Sequence, residues 1–222
     1  MKKTATYISL ITAIGCIVMA LTDSILQPGY LIKSAVKMVF FLGLPLLAAR
    51  VLRFSVREAF RPHPKALRTG ALLGLATFGV ILLAYGLLHP YIDLSAVPTA
   101  LEQGAGVTKD NFLFVGTYIA LCNSLLEEFF FRCFAFLGLS KSGSKPYAYL
   151  FSAGAFAVYH AGMLISMIPP ILFLLALFAL FLCGLLFDYF NARQERIWVS
   201  WLVHMGANLA INAVGMHLLG MF

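Results

Sequence analysis

Six side chains in the second half of this 222-residue chain are of types that together could activate water against a carbonyl group: Glu127, Glu128, Arg132, His160, His204 and Asn208. The first three lie in Leu-Cys-Asn-Ser-Leu-Leu-Glu-Glu-Phe-Phe-Phe-Arg (121–132), between the uncharged runs Asn111 to Leu126 and Cys133 to Ser140. On insertion scales a charge at mid-bilayer costs roughly 2.5–3.5 kcal/mol, so three unsupported charges would cost roughly 8–10 kcal/mol. Charges inside an apolar run are therefore functional candidates, and their partners must come from other spans.

Helix geometry separates the two glutamates. At 100° per residue, Arg132 lies about 40° from Glu128 and about 140° from Glu127. Arg132 is thus expected to neutralise Glu128 and leave Glu127 pointing elsewhere, available as a general base. His160 follows Phe156 by one turn, and His204 and Asn208 share one face of a later helix, with Asn212 a turn further. A Glu with a nearby His can activate water, and His and Asn side chains can stabilise an oxyanion. These are the parts of a hydrolase acting on a carbonyl. The bland reading is a buried ion pair with interhelical histidine donors. No H-E-x-x-H, G-x-S-G or G-x-G-D signature is present, which disfavours the serine, aspartyl and H-E-x-x-H zinc mechanisms.

The elements that must position these groups are membrane helices. With 61% hydrophobic and 11% charged residues, the chain falls far below the roughly 25% charged content of soluble domains. The net charge of +7 is spread over one connecting loop (Arg50, Arg53, Arg57, Arg61, Lys65, Arg68) and span ends. That is the positive-inside pattern, and it excludes a nucleic-acid stripe. Cys16, Cys122, Cys133 and Cys183 fall in apolar runs without C-x-x-C spacing and are expected as buried free thiols.

An all-α, polytopic membrane helix bundle of about seven transmembrane helices is expected. The spans read as 4–22, 33–51, 69–89, 112–137, 147–164, 169–187 and 197–219, with the break between the fifth and sixth at 166–170. The first reads as an uncleaved span and not a signal peptide. Lys33 and Lys37 are expected to snorkel at the start of the second, and Gly70-x-x-x-Gly74 offers close helix contact in the third. Residues 91–110 and Asp188 to Arg196 read as polar loops, and His89 and His217 as interfacial. Twelve Lys and Arg fall on one side of a seven-span layout, which predicts a cytoplasmic N-terminus and an outer C-terminus. The division is 1–110, three spans without a recognised motif, and 111–222, four catalytic spans, within one integrated membrane domain.

The motifs E-E-x-x-x-R (Glu127, Glu128, Arg132), F-x-x-x-H (Phe156, His160) and H-x-x-x-N (His204, Asn208) occur in this order on consecutive polar-bearing spans. In this the chain resembles the CAAX protease and bacteriocin-processing (CPBP, or Abi) family of intramembrane endopeptidases, which includes the type II CAAX prenyl protease. The resemblance covers about residues 111–212. It implies that Glu127 and His160 activate water, that His204 and Asn208 hold the oxyanion, and that Glu128 and Arg132 support the site. It implies no cofactor under a glutamate mechanism. Under the rival zinc mechanism the ligands are Glu127, His160 and His204. The implied partners are the lipid bilayer and a peptide or protein substrate, lipidated or membrane-anchored, in a bacterial cell membrane. The readings set against this are a non-enzymatic membrane immunity or partner-binding protein and a proton-coupled transporter.

Overall fold

The computed structural model describes residues 2–165 and 168–222. The described residues form helices and no strand, as a bilayer demands of chains that must satisfy every backbone group internally. α1 (Lys2–Leu21) continues through a π-helical turn at Thr22–Leu26. Gln27-Pro28-Gly29 breaks the chain, with Gln27 in the left-handed region at φ 40°. α2 then runs Tyr30–Val51, π-helical over Met38–Gly43. After the basic loop, Pro64 opens α3 (Pro64–Leu88). A short α4 (Ala96–Ala105) lies where a polar loop is expected.

α5 spans Lys109–Ser142 in one piece, longer at both ends than the expected 112–137. Ser144 takes the N-cap position of α6 (Lys145–Leu164), with Pro146 in its first turn, and its side chain makes no cap bond. The break expected at 166–170 falls partly on residues 166 and 167, which lie outside the described residues. α7 (Pro170–Gln194) and α8 (Trp198–Leu218) complete the chain. The sequence ends the sixth span at 187. α7 instead continues two turns further, because the Asp188 and Asn191 read as loop residues are wholly buried and partnered.

Five of these helices are long and apolar enough to cross a membrane: Lys3–Leu26, Tyr30–Val51, Pro64–Tyr91, Lys109–Ser142 and Pro170–Gln194. α6 and α8 fall outside that group, and they are the helices carrying His160, His204 and Asn208. Such helices mark the chain as an integral membrane protein.

α5 is the central helix. Residues 126–139 are buried without interruption, so this stretch has no lipid-facing side. Phe41, Phe130, Phe131, Phe156 and Tyr159 pack around it from α2, α5 and α6, with Phe41 and Phe130 stacked at 3.9 Å. Glycines let α8 approach α3 closely. A Cβ at Gly74 would lie 2.5 Å from the Leu202 carbonyl oxygen, and one at Gly206 would strike the Gly74 carbonyl. The Gly70-x-x-x-Gly74 pair thus faces α8, the helix that carries His204.

The basic loops gather at one end of the bundle. The Ile197 N–H donates to Ala59 O (3.1 Å), Trp198 Nε1 to Arg61 O (3.2 Å), and Lys141 Nζ to Glu195 Oε2 (3.3 Å). At the other end Lys33 pairs with Asp23 (2.8 Å), and the half-buried Tyr85 meets the exposed His217 at 2.8 Å. The cysteines are free, but only Cys133 is buried: Cys16 is half-buried, and Cys122 and Cys183 are exposed on the outside of the bundle. An apolar run does not reveal which face a thiol occupies, so the expectation of four buried thiols is corrected.

Candidate active site

Glu127 stands at the junction of four helices. By a 1.5 Å rise it lies about 27 Å along α5 from Lys109, near the middle of a helix of about 50 Å. Its Oε1 accepts from Lys37 Nζ of α2 at 2.5 Å, from Asn123 Nδ2 of α5 at 2.9 Å and from Tyr159 OH of α6 at 3.3 Å. Its Oε2 is buried without a hydrogen bond among the described residues and lies 3.7 Å from both His160 Nε2 of α6 and His204 Nε2 of α8. One oxygen is saturated, and the other faces two imidazoles across a gap too long for a direct hydrogen bond.

The far side of each imidazole is pinned. His160 Nδ1 lies 2.8 Å from Phe156 O. A carbonyl can only accept, so Nδ1 carries the proton and, in the neutral ring, Nε2 presents a lone pair toward Glu127. The F-x-x-x-H spacing therefore fixes the ring by its own helix backbone. His204 Nδ1 lies 3.0 Å from Glu128 Oε1, which orients its Nε2 toward Glu127 in the same way. Phe156 and Phe187 flank His204, with ring centroids 5.8 Å away in each case.

Glu128 faces a second, wholly buried cluster. Arg132 Nε lies 3.8 Å from Glu128 Oε2 and 3.7 Å from Asp188 Oδ1, and Asp188 also accepts from Ser152 Oγ at 3.1 Å. The guanidinium sits over Phe156 (4.1 Å) and Phe187 (5.0 Å). Its three nitrogens make no hydrogen bond to the described residues, so charge and ring contacts hold it.

Asn208 stands one turn beyond His204 and donates from Nδ2 to Ile119 O at 3.4 Å. Asn212 Nδ2 donates to Gly116 O at 2.8 Å, and Trp201 Nε1 to Ser124 Oγ at 3.1 Å. These three contacts run antiparallel along α5 and lock α8 in register. The Ile119–Asn123 stretch is π-helical, and such segments leave carbonyls underused and recur at functional sites.

The structure therefore brings Glu127, His160 and His204 together, sets Glu128 and Arg132 behind them, and holds Asn208 a turn away. Two residues escaped the sequence reading. Lys37 was expected to snorkel, but it is buried and bonded to Asn123 Oδ1 (2.6 Å), Tyr159 OH (2.6 Å) and Glu127, because α2 packs against α5 with Lys37 inward. A lysine several residues inside an apolar run was the only signal for it. Asp188 was assigned to a loop, since a charge at the end of an apolar run reads as its boundary.

The family model described as Rce1-like, type II CAAX prenyl endopeptidase Rce1-like, matches residues 109–210. No curated protein and no solved structure matches the chain. The matched stretch opens with the first residue of α5 and ends within α8. It holds both histidines, both glutamates, Arg132, Asp188 and Asn208, but not Lys37.

Proposed function

Residues 109–210 match the Rce1-like, type II CAAX prenyl endopeptidase family, and we propose that the chain belongs to it and hydrolyses peptide bonds of membrane-associated substrates with water activated by Glu127 and His160. The observation that carries this reading is the free Oε2 of Glu127, 3.7 Å from two imidazole nitrogens in the interior of the bundle. A water between them would donate one hydrogen to Oε2 and the other to His160 Nε2. As its oxygen bonds to the substrate carbonyl carbon, its proton passes to Glu127 and the carbonyl oxygen becomes an oxyanion. The proton then moves to the leaving amine nitrogen, and the C–N bond breaks.

The oxyanion falls to His204 and Asn208. His204 is placed for that role, since its Nδ1–H meets Glu128 and an Nε2–H would point into the site. Asn208 uses one N–H on Ile119 O and has a second to offer. Such donors stabilise charge that develops only in the transition state.

One feature favours this metal-free mechanism over the zinc one: the Lys37 ammonium already sits on Glu127, where it would repel a second cation. The proposed orientation has the basic loop 50–68 cytoplasmic and the C-terminus outside.

The test is cleavage of a library of membrane-anchored peptides, with and without prenyl groups, by the purified protein, its Glu127→Gln variant and a chelator-treated sample. Cleavage by wild type and by the chelated enzyme, with none by Glu127→Gln, is expected. Full cleavage by Glu127→Gln would overturn its assignment as the base, and absence of cleavage by wild type would favour a non-enzymatic binding role. Stoichiometric zinc that is lost in His204→Ala, with activity recovered only by added zinc, would overturn the oxyanion role of His204.

A further inference from the structure

Away from the site, a cavity of about 270 Å³ opens between the start of α3 and the end of α7, lined by His63, Lys65, Thr69, Arg193, Gln194 and Arg196. Three of these side chains are cationic and none is acidic. The nearby carboxylates are turned to other partners: Glu195, in a left-handed conformation at φ 52°, pairs with Lys141 at 3.3 Å, and Glu58 with Arg61 at 3.7 Å. The cations thus converge without a counter-charge. The Nε of Arg196 is buried with no hydrogen-bond partner among the described residues, while its Nη1 is held by Gln194 O at 3.0 Å.

The backbone adds to this charge. His63 gives α3 no side-chain cap, and its first turn holds no acidic residue. The first bond of the helix runs from the Leu67 N–H to His63 O, so the N–H groups of Lys65 and Ala66 precede any partner within the helix. Lys65 and Ala66 both line the cavity. Unpaired N–H groups at a helix start beside three cations make a site for a tetrahedral, multiply charged oxyanion.

We propose that this cavity binds a phosphate group, and that its source is the headgroup of an anionic phospholipid. Its position argues for the source: one helix long and apolar enough to cross a membrane begins at it and another ends at it, and the ends of such helices are where headgroup phosphates are met. Arg50, Arg53 and Arg57 of the basic loop lie outside this cavity.

The experiment is native mass spectrometry of the full chain released from neutral detergent, titrated with phosphatidylglycerol, phosphatidylcholine or inorganic phosphate. The variant is Lys65→Gln/Arg193→Gln, both exposed positions whose loss leaves the fold intact. The control is Arg50→Gln/Arg57→Gln, which removes the same charge from outside the cavity. Each cation removed is expected to weaken binding about fivefold. Phosphatidylglycerol should therefore bind more tightly than phosphatidylcholine, lose about 25-fold in the variant and change little in the control. Equal loss in variant and control, or no loss in either, overturns the site in favour of diffuse surface charge. Inorganic phosphate that binds with the same Lys65 and Arg193 dependence, while the two lipids bind alike, overturns the lipid source.

Discussion

On one side of α5, Glu127 collects three donors on a single oxygen and turns the other toward two imidazoles. On the other side, Glu128 meets a buried arginine at 3.8 Å and the back of His204 at 3.0 Å. Adjacent residues of one type thus occupy environments of different purpose. Around Glu127 the side chains come from four helices, and the oxygen without a hydrogen bond among the described residues faces two imidazoles. The Glu128 side is enclosed by Phe131, Phe156 and Phe187, and although Glu128 Oε2, Asp188 Oδ2 and the guanidinium also lack hydrogen bonds among the described residues, opposite charges there stand 3.7–3.8 Å apart.

The sharpest break in this comparison is Glu127→Gln. It removes the proposed base while keeping side-chain shape, so turnover should vanish in a protein that still inserts and folds, with a lowered melting temperature because the buried Lys37 loses its counter-charge, checked by peptide cleavage beside a melting curve in detergent. Glu128→Gln should not show that separation, since it disturbs both Arg132 and His204.

On the other side, Arg132→Ala leaves Glu128 and Asp188 buried without their cation. Breaking such a group typically costs about 3–5 kcal/mol. The yield of folded protein should fall, and size-exclusion of the membrane extract reads it. An Arg132→Ala protein with normal yield and melting temperature would show that the Glu128 side carries no such structural task.

Asn208→Ala bears on the boundary between the two sides. Loss of one oxyanion donor is expected to lower kcat by about 10²–10³, or roughly 2.7–4 kcal/mol, with peptide binding little changed. Equal changes in kcat and binding would mean that Asn208 serves only the register of α8 on α5, through its bond to Ile119 O.

The smallest expected effect belongs to Lys37→Met. Lys37 holds Glu127 in place by occupying its Oε1, so losing it should cut kcat about 10²-fold, the lower range for general-base catalysis. Lys37→Arg should recover part of that, and a steady-state comparison of kcat and KM for the two variants is the check. No difference between Met and Arg would leave Lys37 a packing residue.

The lysine and arginine distribution, the apolar runs and their breakers made the helical membrane class legible, because a bilayer accepts few alternatives for such a chain. The spacing of Glu127, Glu128 and Arg132 also marked two faces of one helix, since periodicity follows from backbone geometry alone. What the tertiary structure decided was which distant groups meet them. Lys37 is 90 residues from Glu127, and Asp188 reaches Arg132 from α7. A lone charge near the end of an apolar run reads the same whether it snorkels to the headgroups or turns inward. That choice rests on the free energy of pairing a buried charge against hydrating it, and the pairing exists only once α2 and α7 have packed against α5.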